Sequence, residues 1–170
     1  MKKVFLVGLF VVGLIFGACS GGGSSSSSGC SDPGLGGFGS DFQSYLNSTG
    51  NSDLTGFGGS NSITGDCAPV NQPVIWVHGN ADSAEGSELP MGGWGDAREH
   101  FLDNGYKPTE LYAVNWGLAG LSNVSKIYHR ADWVDKVYRF IKAVKNYTGA
   151  SKVDIIGHSL GAGMARSYVC

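Results

Sequence analysis

Along the second half of the chain the apolar residues fall into short blocks with recognisable periods. Pro73-Val74-Ile75-Trp76-Val77 is a continuous apolar run ending in His78-Gly79-Asn80, the pattern of a strand buried on both faces. A glycine-rich loop over 81–95 follows, and 96–104 then reads as a helix. Ala97, Phe101 and Leu102 form its apolar side, Asp96 suits the positive end of its dipole, and Gly105 is placed to stop it. Residues 111–116 predict a second strand, entered through Lys107-Pro108, and 117–126 a second loop. The clearest helix comes next: Trp133, Val137, Phe140, Ile141 and Val144 recur at spacings of three and four, with Asp132–Lys136 and Asp135–Arg139 as i, i+4 pairs on the wet side. Gly149 ends it. Val153, Ile155 and Ile156 mark a third strand, and 160–169 continues as a helix. This alternation predicts an α/β fold with a parallel sheet, right-handed crossovers and flanking helices.

The first 71 residues lack such periods. Residues 1–18 have two lysines, a mostly apolar stretch over 4–16 and then small Gly17 and Ala18; the stretch is too short to span a bilayer and reads as a secretory signal. Cys19 follows at once, so the segment resembles a bacterial lipoprotein signal in which that cysteine becomes the lipidated first residue. Phe16 stands where leucine is usual, and plain secretion is the alternative. A Gly/Ser linker occupies 19–31. Residues 32–71, rich in Gly, Ser and Asn, are expected to form a loose extension lying partly on the surface, with one weak helical turn where Phe42, Tyr45 and Leu46 share a face. The folded domain is expected over 72–170.

Composition narrows the function. A net charge of -2 with 15% charged residues supplies no basic field for nucleic acid. Export places the cysteines in an oxidising compartment, where disulfides persist. With Cys19 assigned to lipid, Cys30, Cys67 and Cys170 allow at most one pair. Cys30 with Cys67 is the expected bond, stapling the N-terminal region to the start of the domain and leaving Cys170 for a partner beyond the end of the sequence.

Between the third strand and the last helix stands Gly157-His158-Ser159-Leu160-Gly161. In a chain with 28 glycines in 170 residues, G-x-S-x-G arises by chance roughly half a time. Its place between a β-branched strand and a helix-forming run is what makes it a nucleophile elbow, with Ser159 on a sharp turn. The two glycines answer the crowding of strand and helix beside that turn.

Three pieces taken together, PVIWVHGN at 73–80, FLDNGYKPTELYAVNW at 101–116 and YTGASKVDIIGHSLGAGMAR at 147–166, resemble the bacterial class 2 lipases of the α/β-hydrolase fold and a related group of extracellular polyhydroxyalkanoate depolymerases. The resemblance implies Ser159 as nucleophile and the backbone N–H groups of Leu160 and Asn80 as the oxyanion hole. It implies ester or lipid substrates, an acyl-enzyme and no cofactor. In such hydrolases the triad acid and histidine follow the serine, yet the eleven residues after Ser159 hold neither. The expectation is an N-terminal portion of a longer enzyme, or a truncated gene product.

Other positions have plainer readings. His158 is expected to point away from Ser159, His78 to be structural, and His100 and His129 to be solvated. Asp96, Glu99, His100 and His129 lack a recognised metal-ligand spacing, so no metal is expected. Asp154 precedes the serine and reads as a structural hydrogen-bonding residue, and Trp76, Trp116 and Trp133 as core. Leu89, Met91 and Trp94 are candidates for an acyl pocket or cover, or else ordinary loop packing. The expected protein is an exported, membrane-anchored ester hydrolase. The alternatives are a polyhydroxyalkanoate depolymerase or a non-catalytic remnant or surface binding module.

Overall fold

The structure, a computed structural model, describes residues 30–87, 92–126 and 128–169. The signal segment, Cys19, most of the linker, Leu89, Met91 and Cys170 lie outside the described residues. Among those described, no helix is long and apolar enough to cross a membrane.

A four-stranded sheet organises the chain. Its strands are β1 (Thr55–Gly58), β2 (Val74–Val77), β3 (Leu111–Asn115) and β4 (Asp154–Gly157), in the spatial order β1-β3-β2-β4. β2 runs parallel to both β3 and β4, with Ile75 opposite Tyr112 on one side and Ile155 on the other. β1 is antiparallel to β3, so the sheet is mixed rather than wholly parallel. The helices are α1 (Ser40–Ser48), α2 (Gly95–Asp103), α3 (Ala131–Thr148) and α4 (Leu160–Val169). From β2 onward strands and helices alternate as the apolar blocks predict, consistent with an α/β-hydrolase-type fold.

Because side chains alternate across a strand, the apolar runs of β2 and β3 feed two cores. Ile75, Val77, Tyr112 and Val114 pack with Phe42 and Leu46 of α1, Val137, Phe140, Ile141 and Val144 of α3, and Met164 of α4. On the other face Val74, Trp76, Leu111 and Ala113 meet Phe57 of β1 and Trp94, Ala97 and Phe101 beside and within α2. Trp76, Trp116 and Trp133 are core residues, as expected.

The segment 32–71 corrects the expectation of a loose extension. It supplies a full helix and a strand, and Phe42, Leu46, Leu54 and Phe57 are buried. The ring of Phe42 lies 5.0 Å from that of Tyr112, 6.1 Å from Phe140 and 4.9 Å from Tyr147. Cys30 is bonded to Cys67, with 5.3 Å between their Cα atoms. Asp32 reaches Arg98 of α2, a buried guanidinium whose burial the amphipathic reading of that helix does not foresee. On α3 the Asp135–Arg139 pair forms at 2.8 Å. Asp132, however, turns back to Arg130 at 2.9 Å rather than forward to Lys136, because the guanidinium just outside the helix can be met through two hydrogen bonds.

Candidate active site

Adjacent parallel strands deliver their following residues to the same edge of the sheet, where open α/β folds build their sites. Val77 and Gly157 are opposite each other at the ends of β2 and β4, so His78-Gly79-Asn80 and His158-Ser159 emerge side by side. The His158 N–H donates to Val77 O at 3.1 Å, which holds the two ends together. The chain then reverses within one residue. Ser159 has φ 52°, and α4 starts at Leu160. A non-glycine residue in this left-handed region costs about 1–2 kcal/mol, a strain characteristic of functional turns. Ser159 is exposed.

The glycines around it are there for close approach. A Cβ on Gly157 would lie 2.6 Å from Ala162 Cα in the first turn of α4, and one on Gly161 would run into the carbonyl oxygens of Val77 and His78. On the neighbouring loop a Cβ on Gly79 would come within 3.2 Å of Ser159 Cβ and 3.0 Å of His158 Nδ1. The loop after β2 is therefore packed directly against the serine.

His78 locks that loop to the sheet. It is buried, its ring stacked on Trp116 at 5.1 Å. Nδ1 lies 2.8 Å from Gly79 O, Nε2 accepts the Trp116 backbone N–H at 3.4 Å, and Trp116 Nε1 donates to His78 O at 2.9 Å. These partners suit a neutral imidazole with its proton on Nδ1. Burial pushes its pKa below the ordinary histidine value, against a smaller opposing effect of the Gly79 carbonyl. Three residues on from His78, Ala81 is with Ser159 one of two non-glycine residues with positive φ among the described residues, at 59°, and its carbonyl accepts from Gly120 N at 2.8 Å. Asn80 between them donates from Nδ2 to Val124 O at 3.1 Å. Neither the strain at Ala81 nor the part of Trp116 is signalled by a motif. The only sequence cue is an aromatic placed just after the second strand.

Leu160, the first residue of α4, presents its N–H at a helix end, where backbone donors have no intrahelical acceptor and the dipole favours negative charge. Among the described residues Ser159 makes no side-chain hydrogen bond, and all four histidines precede it in sequence. His100 and His129 are exposed. His129 lies over Gly163 of α4, while Asp96, Glu99 and His100 sit on α2 across the sheet, and no group of three or more potential metal ligands forms among the described residues. Trp94 stacks on Trp76 at 6.2 Å. It packs with Ala97 and Phe101 in the core on the α2 face of the sheet.

A mixed sheet flanked by helices, with a strained, exposed serine between a parallel strand and a helix, makes this an α/β protein whose fold is consistent with the α/β-hydrolase type. The chain belongs to the class 2 lipase family: the model of Lipase (class 2) matches residues 71–170. At the level of the family it is a lipase- or esterase-like hydrolase.

Proposed function

We propose that this protein is a serine carboxylic-ester hydrolase in which Ser159 is the nucleophile and the N–H groups of Leu160 and Asn80 form the oxyanion hole. The observation that carries this reading is the strained turn at Ser159, exposed at the head of α4 and packed against Gly79. Ser159 Oγ bonds to the ester carbonyl carbon as its proton passes to a base. The oxyanion collapses, expelling the alcohol, and water then releases the acid by the same steps in reverse. Each well-placed oxyanion donor contributes about 3–4 kcal/mol to such a step. No cofactor enters. Export and anchoring through a lipidated Cys19 would place the enzyme at a membrane surface.

Among the described residues no imidazole is hydrogen-bonded to Ser159, which leaves its hydroxyl a weak nucleophile. Treatment with a fluorophosphonate, followed by mass spectrometry of the peptides, should therefore give a slow adduct on Ser159 alone, faster at each step up in pH and absent from Ser159→Ala. An adduct spread over other serines, or none at Ser159 even in alkali, would refute the assignment and favour a non-catalytic binding module. Short-chain esters, long-chain glycerides and polyester granules then separate a lipase from a polyhydroxyalkanoate depolymerase.

A further inference from the structure

A separate recess lies at the edge of the sheet farthest from Ser159. In the order β1-β3-β2-β4 the serine follows β4, and β1 stands at the other end. There the 37–39 stretch pairs with β1 at Gly58, whose N–H donates to Gly37 O at 3.2 Å and whose carbonyl accepts the Gly39 N–H at 2.9 Å. The pairing goes no further, because the chain before it turns away, with Gly36 N bonded back to Pro33 O at 3.2 Å. The splayed seam leaves a pocket of about 400 Å³, whose lining includes Leu35, Phe38, Gln43, Leu54, Gly56 and Glu85. That volume lies in the usual range of small-molecule sites. All its lining residues but Glu85 fall within 35–56, ahead of the span shared with the lipase family.

The pocket offers hydrogen-bond acceptors on apolar walls. Both carboxylate oxygens of Glu85 accept Asn115 Nδ2, at 3.1 and 2.9 Å, and Asn115 Oδ1 in turn accepts Ala84 N at 2.7 Å, so the end of β3 fixes the carboxylate in place. Lone pairs remain on each of its oxygens, and no cation pairs with it among the described residues. Gln43 donates Nε2 to Asn47 Oδ1 at 3.1 Å, which leaves its Oε1 as an acceptor. Gly56, two residues before Gly58 on the same strand, turns its carbonyl to the same outer edge. No lysine or arginine lines the pocket. The arginines that reach this part of the chain are engaged, Arg98 by Asp32 and Arg139 by Asp53 and Asp135. We propose that this pocket binds a primary ammonium on an alkyl stem. The stem lies against Leu35, Phe38 and Leu54, and the three N–H donors of the ammonium meet Glu85, Gly56 O and Gln43 Oε1. The fixed carboxylate supplies the charge that a cation leaving water requires. This binding is independent of the ester-hydrolase reading.

Titration of the isotope-labelled chain with alkylammonium chlorides from methyl to hexyl, followed through the amide resonances of 35–38 and 54–56, tests this. Those resonances should shift saturably, with affinity rising about threefold per methylene until the stem fills the pocket. Hexanol and hexyltrimethylammonium, one without the charge and the other without N–H donors, should bind more weakly. Glu85→Gln keeps the shape and should lower hexylammonium affinity by about fivefold, the modest factor that an exposed carboxylate supports. Nα-acetyl-lysine amide, set beside butylammonium, identifies the source: tighter binding assigns the pocket to a protein side chain, weaker binding to a free amine. Unsaturable shifts, no dependence on stem length, hexanol or the trimethyl analogue binding as well as hexylammonium, or an unchanged Glu85→Gln affinity would each overturn the proposal. Ser159→Ala should bind as the parent does, so failure of the ester chemistry is read separately from failure of this site.

Discussion

At the scale of single residues, the site stores strain and neutrality where a surface turn would have neither. Ser159 at φ 52° holds a conformation that glycine adopts freely. Ser159→Gly should therefore raise unfolding stability by about 0.5–1 kcal/mol, with Ser159→Ala near neutral, as read from chemical denaturation; a loss of stability in the glycine variant would show the turn to be unstrained. His78 gives a pH signature. Its pKa is lowered by burial from an ordinary value of 6.5, so the folded state prefers the neutral ring. The stability this contributes is fully present above pH 6.5 and is lost as pH falls from there through the folded pKa. Denaturant midpoints measured down this range should decline, and His78→Asn should flatten that part of the decline.

At the scale of elements, what the chain shows plainly is whatever its neighbours in sequence determine. The run 74–77 reads as a buried strand because both faces are apolar, and α3 because five core residues repeat at helical spacing. The elbow is legible because strand, turn and helix are contiguous. α1 and β1 are not, since Phe42 finds Tyr112, Phe140 and Tyr147 only at sequence separations of 70 or more, and β1 is the glycine-rich Thr55-Gly56-Phe57-Gly58. Arg98 looks like a solvated helix residue until Asp32 is brought to it. That contrast is measurable. Arg98 is 2% exposed, so Asp32→Ala would leave a buried guanidinium with only the exposed Glu99 and should cost about 2–3 kcal/mol. Arg139 shares its charge between Asp53 and Asp135 at the surface, and Asp53→Ala should cost less than about 1 kcal/mol. Urea titration of the two variants distinguishes them, and equal losses would contradict the difference in burial.

At the scale of the whole molecule, the 30–71 segment, the sheet and the elbow form one unit closed by Cys30–Cys67, which spans 37 residues. On the chain-entropy account a loop of that length is worth about 4 kcal/mol, so reduction should lower the denaturation midpoint clearly and expose the α1–β1 segment to protease before α3; an unchanged midpoint would show that packing of Phe42, Leu46 and Phe57 alone holds it. Cys67 O also accepts the Thr109 hydroxyl at 2.7 Å, which ties that closure to the start of β3. The candidate oxyanion hole was legible only as a pair of positions, Leu160 and Asn80, because its donors are backbone groups that any side chain could accompany. What makes it a site is the contact of Gly79 with Ser159 and the anchoring of Asn80 and Ala81 to the 117–130 segment. The measurement that bears most directly on this account is a crystal structure of the phosphonate adduct. The account predicts phosphorus bonded to Ser159 Oγ and the phosphonyl oxygen within about 3 Å of both the Leu160 and Asn80 nitrogens. A phosphonyl oxygen turned to solvent, meeting neither N–H, would contradict it.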